Sequence, residues 1–124
     1  MNKVKVLLVD DEEEFVSALA ERLDIRGIEA LIATDGEQAL EMLETDTFNV
    51  IVLDVIMPGI SGLEVLQRVK AKEIDTAVIL LTGHGSTKEG LEGMRMGAFD
   101  YLMKPLDIDD LISKMNDAIE SKNK

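Results

Sequence analysis

Asp10 and Asp11 follow the apolar run Val4–Val9, Asp54 follows Val50–Leu53, Thr82 follows Ala77–Leu81 and Lys104 follows Ala98–Met103. If those runs are neighbouring strands of one sheet, three carboxylates, a hydroxyl and an ammonium converge at a single edge. Two carboxylates about 4 Å apart repel by about 4 kcal/mol at an effective dielectric of about 20, so three together call for a cation. A hard divalent ion with oxygen ligands is the natural counter-charge. With few protein ligands and no rigid cage, Mg²⁺ suits such a site better than Ca²⁺. The pocket would then accept a dianionic phosphoryl group while keeping a carboxylate able to attack one, forming an aspartyl phosphate. Phosphoryl transfer needs in-line positioning and charge neutralisation more than proton shuttling. Asp54, alone after the third run, is the candidate nucleophile, and Asp10 with Asp11 the metal-holding pair. Lys104 would neutralise phosphoryl oxygens and Thr82 would hydrogen-bond to one.

Each residue also has an ordinary structural role open to it. Asp10 and Asp11 can lead into an acidic first helical turn, where the helix dipole favours negative charge. Asp54 can cap the turn that follows it, Thr82 can simply end a strand, and Lys104 can be a solvated surface lysine. Those roles explain the residues singly; they explain poorly why four strand ends carry them together.

Such a convergence needs alternating strands and helices. With Ile28–Ala33, the apolar runs number five; most are rich in Val, Ile and Leu and bounded by Gly, Asp or Asn, as buried strands are. Between them apolar residues recur at helical spacing: Phe15, Leu19 and Leu23; Leu40 and Leu43; Val65, Leu66 and Val69; Leu111, Ile112, Met115 and Ile119. Strict alternation predicts an α/β fold, a doubly wound (βα)5 five-stranded parallel sheet of the flavodoxin-like kind with order 2-1-3-4-5. Ligands would gather at the carboxyl ends of strands one and three. No linker or composition break divides the 124 residues, so 1–124 reads as one domain.

Composition narrows the function further. Asp and Glu number 25 against 13 Lys and Arg, a net charge of −12 that repels nucleic acid and anionic lipid. The absence of cysteine excludes disulfides, thiolate zinc sites and iron–sulfur clusters, and a lone histidine, His84, excludes a multi-histidine metal site. One Tyr, three Phe and no Trp are too few for base-stacking platforms. The longest unbroken apolar run, Ala77–Leu81, is far short of the roughly 20 residues that span a bilayer. Near the N-terminus only Val6–Val9 precede the acidic run, short of the roughly 7 to 15 residues of a signal peptide. A soluble, cytoplasmic protein is expected.

Five fragments stand in order along the chain: Val6-Leu7-Leu8-Val9-Asp10-Asp11; Ala33-Thr34-Asp35-Gly36-Glu37-Gln38-Ala39-Leu40; Asp54-Val55-Ile56-Met57-Pro58-Gly59-Ile60-Ser61-Gly62-Leu63-Glu64; Leu80-Leu81-Thr82-Gly83; and Gly97-Ala98-Phe99-Asp100-Tyr101-Leu102-Met103-Lys104-Pro105. Together, over essentially the whole chain, they resemble the response-regulator receiver domain of two-component phosphorelay signalling, the third matching that family's D-x-x-M-P-x-x-x-G-x-E loop. The resemblance implies that Asp54 accepts a phosphoryl group from a phosphohistidine on a sensor histidine kinase or histidine phosphotransfer protein. It implies that Asp11 binds Mg²⁺ directly, Asp10 mainly through water, and that Asp54 and the Ile56 backbone carbonyl complete the protein ligands. It implies a cis Lys104–Pro105 bond. The product would be a phosphoacceptor switch with self-catalysed phosphotransfer and autodephosphorylation, rather than a metabolic enzyme.

In that family the threonine moves toward the phosphoryl group and an aromatic residue of the fifth strand turns inward behind it, which points to Thr82 and Tyr101. Tyr101 can equally be a half-buried strand aromatic. The fourth helix, Ser86–Met96, carries Gly90 and Gly93, each costing about 1 kcal/mol relative to Ala. Either it shifts between two packings, with Met94 and Met96 as adaptable contacts, or its glycines serve close helix–sheet packing. The face made by this helix, the fifth strand and the last helix would meet a downstream effector protein or a second copy. Ile56 and His84 replace polar residues common in the family. Ile56 would slow attack by water; His84 would orient water or sense pH, or do nothing.

Three other readings compete. An aspartate-nucleophile phosphohydrolase needs D-x-D after the first strand, which Asp10-Asp11-Glu12 lacks. A flavodoxin-like cofactor binder needs a Ser/Thr/Gly loop there, and an acidic run stands in its place. A pseudo-receiver would not need the complete set of pocket residues.

Overall fold

The computed structural model describes residues 3–83 and 87–122. Five strands alternate with five helices: β1 (Lys5–Val9), α1 (Glu13–Ile25), β2 (Glu29–Ala33), α2 (Gly36–Thr45), β3 (Val50–Asp54), α3 (Gly62–Ala71), β4 (Ala77–Thr82), α4 (Thr87–Arg95), β5 (Asp100–Met103) and α5 (Ile108–Lys122). The strands pair in parallel in the order β2-β1-β3-β4-β5, as the alternation predicts.

Successive strand residues point to opposite faces, and both faces here are covered. Leu7, Val9, Ile51, Leu53, Val78 and Leu80 join one apolar cluster with Leu40, Leu43, Val65, Leu66 and Val69 from α2 and α3. Val6, Leu8, Val50, Val52, Ile79 and Leu81 join the other with Leu19 and Leu23 of α1 and Leu111 and Met115 of α5. Covering on both sides explains why β1, β3 and β4 are continuous apolar runs rather than alternating ones. Side-chain caps set two helix starts: the Asp35 carboxylate accepts from the Gln38 N–H at 2.8 Å, and the Ser61 hydroxyl from the Glu64 N–H at 3.2 Å.

The apolar runs overshoot three strand starts, most of all at β5. Ala98 and Phe99 precede the strand because the Ala98 N–H donates to the Gly93 carbonyl, closing the end of α4 across Gly97 at φ +108°. Ile28 likewise donates to Leu23 at the end of α1. Apolar character marks burial here, whether the backbone is strand or helix terminus. For α4, Gly93 answers a packing need: a Cβ there would lie 2.0 Å from Leu80 Cδ1, and one at Gly90 3.0 Å from Thr82 Cγ2. Close helix–sheet contact accounts for both glycines. His84 and Ser86 lie outside the described residues. Among those described, no helix is long and apolar enough to cross a membrane.

Candidate functional site

Strand register brings the site together. Val9 is level with Leu53 and Asp54 with Leu81, so Asp10 and Asp54 stand side by side where β1 and β3 end. Thr82 is level with Met103, and its carbonyl accepts the Lys104 N–H at 2.8 Å, which sets Lys104 just past the end of β5. These are the carboxyl ends at the point where the strand order reverses, the usual ligand-binding edge of such a sheet.

Asp54 is 6% exposed and its two oxygens are used differently. Oδ1 accepts the Ile56 N–H at 3.1 Å, the turn-capping role open to it from sequence; Oδ2 lies 3.3 Å from Lys104 Nζ. One oxygen thus orients the carboxylate and the other faces the cation. Behind it the backbone is tightly packed: a Cβ on Gly62 would stand 2.1 Å from the Asp54 carbonyl oxygen and 2.7 Å from Val55 Cα. The first residue of α3 must therefore be glycine for the loop after β3 to close as it does.

Asp10 is 1% exposed. Its Oδ1 accepts the Glu12 N–H at 2.9 Å, while Oδ2 lies 2.8 Å from Lys104 Nζ but outside hydrogen-bond geometry, leaving a buried carboxylate oxygen without a hydrogen bond. Glu12, mostly exposed, pairs with Lys104 at 2.6 Å. One carboxylate oxygen from each of Asp10, Glu12 and Asp54 falls within a 4.8 Å group. Asp11 is exposed and stands outside that group. Oxygen donors alone, at least one of them buried and lacking a hydrogen bond, suit a hard divalent cation. The donor set thus fits a hard divalent cation of the kind expected from sequence, with Glu12 rather than Asp11 in the group.

Burial pushes the Asp54 carboxyl above its ordinary value, with neighbouring Asp10 adding to the rise; the Ile56 N–H and Lys104 only partly oppose it. Burial alone would lower Lys104. Its contacts with Asp10 and Glu12 and the charge of Asp54 outweigh that, holding the ammonium above its ordinary range. Thr82 is fully buried, its hydroxyl donating to the Leu102 carbonyl at 3.4 Å, a long bond for an O–H donor. Tyr101 is half-buried beside it, against Gly90. The Lys104–Pro105 peptide is cis. Ile56 is 60% exposed two residues beyond Asp54.

Sequence reasoning left out two residues at this site. Glu12 reaches Lys104 from the residue before α1, yet nothing in the acidic run from Asp10 to Glu14 distinguishes it from its neighbours. Phe15 sets its ring 4.7 Å from Lys104 Nζ, although its spacing with Leu19 and Leu23 assigned it only to a helix face.

Comparison with known proteins agrees with this architecture. The profile of the family described as "Response regulator receiver domain" matches residues 6–116, so the chain belongs to that family. It is similar to the transcriptional regulatory protein CpxR of Klebsiella pneumoniae, 41% identical over 111 residues, which are 90% of this chain and 47% of that protein. It is also similar to the uncharacterized transcriptional regulatory protein YkoG of Bacillus subtilis, 35% identical over 119 residues, 96% of this chain and 52% of that one. The chain thus spans about half the length of these curated relatives. Among solved structures, a response regulator receiver domain protein from Clostridium thermocellum superposes with a TM-score of 0.91 at 35% identity, covering 97% of both chains.

Proposed function

We propose that residues 1–124 form a two-component phosphorelay receiver, a response-regulator domain that takes a phosphoryl group on Asp54 and changes its interaction surface. What supports this most is one geometric fact: Asp54 Oδ2 lies 3.3 Å from Lys104 Nζ, within the acidic group of Asp10, Glu12 and Asp54. The donor would be a phosphohistidine of a sensor histidine kinase or a histidine phosphotransfer protein. An Asp54 oxygen attacks phosphorus, the P–N bond breaks, and its electron pair stays on the imidazole. Lys104 meets the phosphoryl oxygens with its charge, and the Thr82 hydroxyl exchanges its long bond to Leu102 for one to the phosphoryl group. Asp10, Asp11, Asp54 and the Ile56 backbone carbonyl would hold Mg²⁺. When bound, the ion neutralises the acidic group and the incoming dianion. Among the described residues Asp11 has no ion pair to give up for this task, whereas Glu12 must release Lys104.

The same residues promote hydrolysis: water attacks phosphorus, inorganic phosphate leaves, the carboxylate is restored and the proton goes to solvent. Ile56, 60% exposed two residues beyond Asp54, would cover that approach, and Ile56→Asn is expected to speed hydrolysis. The protein is thus a switch that catalyses its own modification. As Thr82 moves, Tyr101 turns inward and the α4–β5–α5 face, with exposed Leu91, Met94 and Met103, is offered to a downstream effector protein or a second copy. Neither direct nucleic-acid binding nor membrane binding belongs to this cytoplasmic role. Where relatives are transcriptional regulators, DNA contact would fall to another part of the protein.

The test is incubation with a small phosphodonor and Mg²⁺, repeated with Asp54→Asn. An acid-stable, base-labile label that vanishes in the variant supports the reading; label that persists, or maps to another side chain, overturns it. NMR exchange broadening over residues 82–106 that responds to a phosphoryl analogue supports the switch, and uniform rigidity there overturns it.

A further inference from the structure

The Lys104 ammonium is surrounded on several sides. Asp10, Glu12 and Asp54 lie at 2.8, 2.6 and 3.3 Å, and the face of the Phe15 ring at 4.7 Å. Phe15 is half-buried near the start of α1. It lines a groove of about 160 Å³ with Leu106 and Ile108, which follow Lys104 in the chain, so its ring bridges α1 and the β5–α5 connection. A ring face attracts a cation through its quadrupole, and more strongly where water is partly excluded; Lys104 is only 16% exposed.

The four partners differ in what survives cation binding, before the phosphoryl group arrives. Each carboxylate can be neutralised by a bound cation, and Glu12 is 62% exposed and open to competition from solvent ions. Only the ring keeps its attraction when those charges are cancelled, and it carries no charge to oppose an incoming dianion. Lysine is a point charge on a flexible four-carbon stem, so something must keep it at the site while its anionic partners are engaged.

We propose that Phe15 is a positioning residue for Lys104, its ring holding the ammonium over the phosphoryl site when the carboxylates are neutralised. The purpose assigned to Phe15 rests on Asp54 being the phosphoacceptor; the contact does not.

The test compares wild type with Phe15→Leu, Phe15→Tyr and a chain carrying 3,4,5-trifluorophenylalanine at position 15. That ring nearly keeps the shape but loses most of the negative face. Labelling of Asp54 by a small phosphodonor with saturating Mg²⁺ should slow about fivefold in Phe15→Leu, the rate equivalent of one partly desolvated cation–π contact. It should slow comparably with the fluorinated ring and stay within about twofold in Phe15→Tyr. Upfield ring-current shifts of the Lys104 Hε protons should be present in wild type and Phe15→Tyr and lost in Phe15→Leu. A fluorinated ring that labels at the wild-type rate overturns the proposal, since Phe15 would then act by volume alone; this arm holds even if Phe15→Leu folds poorly. Flat rates across the series with Asp54 labelled overturn the proposal and leave the phosphoacceptor reading standing. Label that persists in Asp54→Asn overturns that reading and the purpose assigned to Phe15, while the ring-current shifts still report whether ring and ammonium touch.

Discussion

From Val6 to Val9 and from Val50 to Asp54 every residue of β1 and β3 is buried, whereas on β5 Asp100, Tyr101 and Leu102 are half-buried and Met103 is exposed. The same contrast separates the helices beside them. α3 begins with Gly62 pressed against the backbone of Asp54, where a Cβ would stand 2.1 Å from a carbonyl oxygen; α4 leaves Leu91 and Met94 in solvent, and Gly90 faces side chains rather than backbone. Repelling carboxylates need walls that do not yield, because the pair energy rises steeply as distance falls. A region that must answer a new charge belongs at the lower end of local stability. Asp10 and Asp54 stand at the edge of the first environment, and Leu91, Met94 and Met103 are exposed in the second.

Gly62→Ala should break the stiff side most visibly. The added carbon meets backbone that cannot rotate away, so a loss of about 3 kcal/mol is expected, read as a lower urea midpoint. A loss below about 1 kcal/mol would show that the loop after β3 yields after all. Next in size is the response to the cation. Mg²⁺ at about a hundredfold over its dissociation constant should stabilise the fold by about 2.7 kcal/mol, reversed by chelation. Asp11→Ala should weaken that binding by about tenfold, or about 1.4 kcal/mol, and Glu12→Ala by less. The reverse order would assign Glu12 the role proposed for Asp11.

Asp54→Asn tests the electrostatic side without a ligand. Because burial raises the Asp54 pKa, the folded chain holds that proton more tightly than the unfolded chain, whose value is near 3.8. Wild-type stability from this group is therefore full below that value and is lost as pH rises through the raised native pKa. The amide does not titrate, so the variant should gain on wild type across that window and hold its advantage above it. Urea midpoints taken from about pH 3 to about pH 8 would show it, and a pH-independent difference would contradict a desolvated carboxylate. Gly90→Ala should have the smallest effect. Improved helix propensity, about 1 kcal/mol, is set against crowding of Thr82 Cγ2 and Tyr101, giving a net change within about 1 kcal/mol. A loss as large as that of Gly62→Ala would erase the contrast between the two sides.

The strand ends were legible because β1, β3 and β4 are buried on both faces, which leaves an unbroken apolar run and makes the first polar residue after it conspicuous. Asp10, Asp54, Thr82 and Lys104 could be gathered in this way, since parallel register aligns whatever follows each strand. The acids beyond Asp10 could not be separated so. Glu12, at the N-cap of α1, reaches Lys104 while Asp11 is exposed outside the acidic group, a distinction set by where the helix begins. The Phe15 contact was hidden for a different reason: a position on an apolar helical stripe reveals that a ring faces inward, but not that a lysine 89 residues later crosses it. Gly90 and Gly93 were ambiguous for want of the distances to Thr82 and Leu80 that define their packing.

Lys104 comes 92 residues after Glu12 and 50 after Asp54. A nascent chain that has emerged only as far as β3 thus holds its acids with no ammonium among them. The Lys104 ammonium joins those acids only when the final strand docks, so the acids meet their cation late in the emergence of the chain.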